Sequence, residues 1–180
     1  MKQTIILLTG ILFSLSTFAQ RIALNKVVGF EIPKDLHVIT REQALAHASE
    51  KFRGNKMALE FYAGIDTSNE RLYKVDDIII DLKSPDTTFD FKAGYATHTK
   101  KALDEAARRA ENYTSSLKTI NNNAVVITYS IIGDTGYCFF FCFNANNTRT
   151  ISGRVVFAKA DKDKVTAILD PILNSIKFKD

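Results

Sequence analysis

Three prolines in 180 residues, no internal repeat and no low-complexity stretch leave the chain without a linker. With 46% hydrophobic residues it is long enough for one domain with a core of its own. An excess of charge of one sign is also missing. Twenty-four Lys and Arg face 20 Asp and Glu, a net +4 that falls to +3 if the first twenty residues, with Lys2, are removed. That is too slight to argue for a nucleic-acid partner. The chain has no G-x-S-x-G, no H-E-x-x-H, no glycine-rich phosphate loop and no Walker lysine. The three histidines, His37, His47 and His98, fall on separate predicted elements, so neither a metal nor another cofactor is expected. Asp76, Asp77 and Asp81 surround Ile78 to Ile80, with Asp77 and Asp81 on one face of a strand. No loop accompanies them to complete the six or more oxygens of a calcium site. The expectation is an exposed strand face or an edge protected by charge.

Cysteine is scarce: only Cys138 and Cys142 occur. In an exported protein a disulfide is the first thought. Four residues along a strand rise ~13 Å, whereas a disulfide needs Cα atoms ~4.4–6.8 Å apart. Both are therefore expected as buried, reduced structural thiols. A nucleophilic cysteine needs a nearby base and partial exposure, and a phenylalanine-rich strand supplies neither.

What the chain does have begins with Met1–Gln20: a charge at Lys2, an apolar stretch from Ile5 to Phe18, and small residues at Thr17 and Ala19. This is the pattern of a secretory signal peptide over residues 1–19, cleaved between Ala19 and Gln20. The stretch carries Thr9, Ser14, Ser16 and Thr17 and falls short of the ~20 apolar residues of a membrane span. No cysteine stands at the cleavage point, so no lipid anchor is expected there. The mature protein, residues 20–180, is expected in the periplasm or outside the cell, without stable insertion in the membrane.

The centre of the fold is read at Tyr137–Phe143, YCFFFCF. At period two, Cys138, Phe140 and Cys142 point to one side and Tyr137, Phe139, Phe141 and Phe143 to the other, which describes a strand covered on both faces. Ala124–Ile132 precedes it across the turn Gly133-Asp134-Thr135-Gly136, and Thr150–Ala158 follows a polar turn, giving an antiparallel meander. Lys26–Pro33 reads as a first strand. Thr40 and Gln43 form a capping box that opens a helix closed by Gly54. Met57–Ala63 and Leu72–Lys83 read as strands. A helix is expected over Thr97–Leu117, with Asp104–Arg108 and Glu105–Arg109 pairs on a solvated face. The last helix opens at Asp161 and is expected to kink or stop at Pro171.

The order β-α-β-β-α-β-β-β-α describes an α+β fold: an antiparallel β-sheet of about six strands covered by helices on both faces, an α/β/α sandwich. This order, Gly29-Phe30-Glu31-Ile32-Pro33 near the start and Ile172-Leu173-Asn174-Ser175-Ile176-Lys177-Phe178 at the end resemble the PsbP-like superfamily. That group includes the extrinsic photosystem II protein, Ran-binding nuclear import factors and many exported bacterial proteins. The resemblance implies a protein that binds other proteins, without shared catalytic residues. The photosynthetic and nuclear roles do not transfer, because nothing beyond topology matches them. Asp86-Thr87-Thr88 resembles a bacterial acceptor motif for O-glycosylation.

The reading of function is an exported, non-enzymatic protein-binding module that uses a sheet face or a helix-to-sheet groove. The alternative is a small-ligand carrier or hydrolase with a pocket lined by Tyr129, Tyr137 and the phenylalanines.

Overall fold

The computed structural model describes residues 20–66, 70–107 and 112–179. The segment expected to be a signal peptide, 1–19, lies outside them, as do Arg108 and Arg109 of the expected helix pairs. The elements run β1 (Gln20–Ala23), β2 (Val28–Ile32), β3 (His37–Ile39), α1 (Arg41–Lys51), α2 (Lys56–Ala63), β4 (Glu70–Val75), β5 (Ile78–Lys83), α3 (Tyr95–Ala106), β6 (Thr114–Ile120), β7 (Asn123–Ile132), β8 (Thr135–Phe143), β9 (Thr150–Ala158), α4 (Lys162–Ser175) and β10 (Lys177–Phe178). Seven strands form an antiparallel sheet in the order β3-β4-β5-β9-β8-β7-β6. A smaller sheet pairs β1 and β10 on either side of β2.

The meander is realised as β7, β8 and β9, with Gly133 at φ +60° in the first turn. Cys138, Phe140 and Cys142 lie on the face packed by α4 and β2, in a layer with Phe30, Ile80, Leu82, Phe157, Leu169 and Ile172. Gly153 on β9 is small for a reason: a Cβ there would stand 2.3 Å from the Phe140 ring. The opposite face is covered in two parts. The α1–α2 hairpin packs Ala44, Ala48, Ala58 and Tyr62 against Tyr137, Ile79 and Val156. Ala96 and Leu103 of α3 meet Val126 and Phe143 farther along the sheet. Helices thus cover both faces, as the α/β/α reading requires.

Three expected elements are corrected. Met57–Ala63 is helical, within α2, because the Asn55 side chain accepts from the Ala58 N–H at 3.0 Å and Ala58 and Tyr62, four apart, bury one face. Leu72–Lys83 is not one strand. It folds back at Asp76, φ +48°, so that β4 and β5 pair. The helix expected through Leu117 ends by Ala107, and Thr114–Ile120 is the edge strand β6, joined to β7 by Asn121 and Asn122 at φ +49° and +65°. The capping box forms: Thr40 Oγ1 accepts from the Gln43 N–H at 3.2 Å, and Gln43 Oε1 from the Thr40 N–H at 2.8 Å. Pro171 does not stop α4, which runs on to Ser175. Asp161 stands at its N-cap position without a side-chain cap bond and instead accepts from Lys51 Nζ at 3.0 Å.

Candidate functional site

Three concavities follow from this layering. The first lies between the two helical covers of the sheet, where Asp81, Arg154 and Phe139 stand in one cross-strand row and Lys83, Ser152 and Phe141 in the next. These residues, with Glu70, line a cavity of about 260 Å³. Arg154 Nε donates to Asp81 Oδ2 at 2.5 Å and Nη2 to Glu70 Oε2 at 2.9 Å, while its guanidinium carbon stands 4.6 Å from the Phe61 ring centre. Lys83 Nζ donates to Glu70 Oε1 at 3.3 Å. Two carboxylates and two cations thus neutralise one another. Asp81 is 2% exposed, and burial pushes its carboxyl up to about 6 against the pull of Arg154. Asp81 is neither exposed nor at an edge, which corrects the expectation for it. Asp77 is exposed in the β4–β5 turn, away from the row.

The second is a groove of about 280 Å³ between β6 and α4. Ser116, Lys118 and Ile120 form one wall, Lys162, Thr166, Asp170 and Leu173 the other, with Tyr129 on the floor. Tyr129 Oη and Thr166 Oγ1 are 3.3 Å apart, and Lys162 Nζ stands 5.6 Å from the Tyr129 ring centre. β6 ends the large sheet, so its outer edge has no strand partner among the described residues.

The third concavity, about 760 Å³, begins where the groove ends. Ile120 and Leu173 line the groove; Asn121 and Asn174 line this bowl, with the β8–β9 loop closing its far side.

The residues singled out in the sequence are dispersed. Tyr129 pairs across the sheet with Cys138, while Tyr137 pairs with Ser130, so the two tyrosines lie on opposite faces and no single pocket contains both. Tyr137 is 4% exposed under α2, its hydroxyl 3.4 Å from Asn55 Nδ2. Cys138 and Cys142 are free and buried beneath α4, and burial pushes both thiols up to about 12. His37 and His47 contact the carbonyls of Asp35 and Asp77, and His98 is exposed. Among the described residues no group of three His, Cys, Asp or Glu could hold a metal ion. Asp86-Thr87-Thr88 is exposed. Sequence reasoning missed Glu70, Lys83 and Arg154. Their charges looked like ordinary surface residues until cross-strand register placed them together.

No family model and no curated protein matches the chain. The fold is similar to the crystal structure of LpqN, involved in cell envelope biogenesis of Mycobacterium tuberculosis. Identity is 6%, the match covers 92% of this chain and 88% of that one, and the TM-score is 0.41. The PsbP-like resemblance is not confirmed by these comparisons, and a likeness at that score carries no functional argument.

Proposed function

We propose that the protein is an exported binding module that takes an extended segment of another protein along the free edge of β6. The observation that carries this is the juxtaposition of a seven-residue edge strand with the groove beside it. An added strand satisfies the unpaired backbone groups of the edge, while its alternate side chains drop into the groove. Lys118 and Lys162 against the single acid Asp170 favour a segment carrying acidic residues. Export rests on the sequence of residues 1–19.

A non-catalytic role is supported by the state of the reactive groups. Glu70 and Asp81 are held by Lys83 and Arg154, and among the described residues no histidine is bonded to either. The thiols are buried and protonated at neutral pH.

The test is a photo-crosslinking residue at Lys118 on β6, with the same residue at Val38 on the opposite edge strand as control, in the envelope of the native host. Position 118 is expected to trap one protein through an extended segment, and Leu117→Pro, whose N–H in this register points away from β7, to abolish trapping while circular dichroism stays unchanged. Equal trapping at both edges, or trapping that survives Leu117→Pro, would sink the proposal.

A further inference from the structure

Six of the chain's eleven asparagines line the bowl at the end of the sheet. They come from three places in the fold: Asn121, Asn122 and Asn123 from the β6–β7 turn, Asn144 and Asn146 from the β8–β9 loop, and Asn174 from the end of α4. Turn chemistry explains part of this. Asn121 sits at φ +49° with its Nδ2 donating to the Asn174 carbonyl at 2.5 Å, and Asn144 holds its loop by accepting from the Thr148 and Arg149 N–H groups. Asn123 Nδ2 donates to the Ile176 carbonyl at 3.4 Å and Asn174 Nδ2 to the Asp170 carbonyl at 2.7 Å, which leaves two of the six amides. Asn122 and Asn146 are exposed, and their side chains have no hydrogen-bond partner among the described residues.

A carboxamide both donates and accepts, and is neutral. The charges on the rim, Glu31 and Lys177, are opposite in sign and cancel. Half-buried Phe178 adds an apolar wall. The volume, about 760 Å³, lies inside the range of roughly 300–1,000 Å³ typical of small-ligand sites. Neutral groups that donate and accept in equal measure, beside one aromatic wall, match a ligand whose hydroxyls do the same and whose C–H face is apolar. An anion would find no free cation pair here, and a flat apolar ligand would leave the amides unpaired.

We propose that this bowl is a binding site for a neutral oligosaccharide, held by the side-chain amides of Asn122 and Asn146, with a sugar ring against Phe178. The site is separate from the β6 edge, and either can hold without the other.

The experiment is a titration of the 15N-labelled mature protein, residues 20–180, with cellobiose, maltotriose and N,N′-diacetylchitobiose, following the Asn side-chain NH2 resonances. Sodium glucuronate serves as the charged comparator. At least one neutral sugar is expected to shift the Asn122 and Asn146 signals saturably, while glucuronate does not. Asn122 stands at φ +65°, so Asn122→Gly keeps the turn and removes only the amide. Asn122→Gly and Asn146→Ala are each expected to weaken binding about tenfold with thermal stability unchanged. No saturable shift with any of the three sugars, or affinity indifferent to both substitutions, would overturn the proposal.

Discussion

Asp81 concentrates the physical tension of the molecule. Its carboxyl is buried on a central strand, bonded through one oxygen to Arg154, with Oδ1 buried and without a hydrogen-bond partner among the described residues and Glu70 close by. Desolvation outweighs the guanidinium and raises the group to about 6. Because the folded value exceeds that of the unfolded chain, the folded state binds the proton more tightly. The associated stability is fully present below about pH 4 and is lost as pH rises through about 6. Compared with Asp81→Asn, the native protein is therefore expected to lose about 2–3 kcal/mol between pH 4 and pH 7, read from urea midpoints at each pH. A pH-independent difference between the two would contradict this account of Asp81. Period-two spacing correctly put the residue on a strand. What the spacing could not give was which part of that face the helices leave open, since this depends on where α2 and α3 come to rest.

At the scale of elements, those with a local cause were legible and those set by tertiary pairing were not. The α1 start was written in Thr40 and Gln43, whose reciprocal bonds are in place. Thr40→Ala is expected to cost about 1 kcal/mol in chemical denaturation. A change within error would mean that packing of Ala44 and Ala48 alone sets the helix. The meander was readable from its turn residues and its β-branched and aromatic runs. By contrast, Met57–Ala63 is a short apolar run whose period fits helix and strand alike, and the Asn55 cap decides the matter. Leu117 fell on the stripe of the expected helix, yet Thr114, Thr119 and Ile120 around it are β-branched, and pairing with β7 wins. The edge strand that carries the proposed function was thus hidden inside a helical pattern.

At the scale of the molecule, the order of helices and strands came out nearly right because these errors offset one another. A strand misread at α2 stood in for one half of the β4–β5 hairpin, and a helix drawn too long concealed β6. Layering survived, since apolar faces on both sides of the central strand demand two covers. The three concavities did not survive as a sequence prediction, because each is bounded by elements far apart in the chain. No helix among the described residues is long and apolar enough to cross a membrane. The proposal that partners add a strand at β6 is tested most directly by amide hydrogen exchange on residues 20–180, alone and with the crosslinked partner protein. The account predicts that amides of Thr114–Ile120 gain protection on binding while those of His37–Ile39 do not. Protection confined to the helices, or spread evenly over both edges, would contradict it.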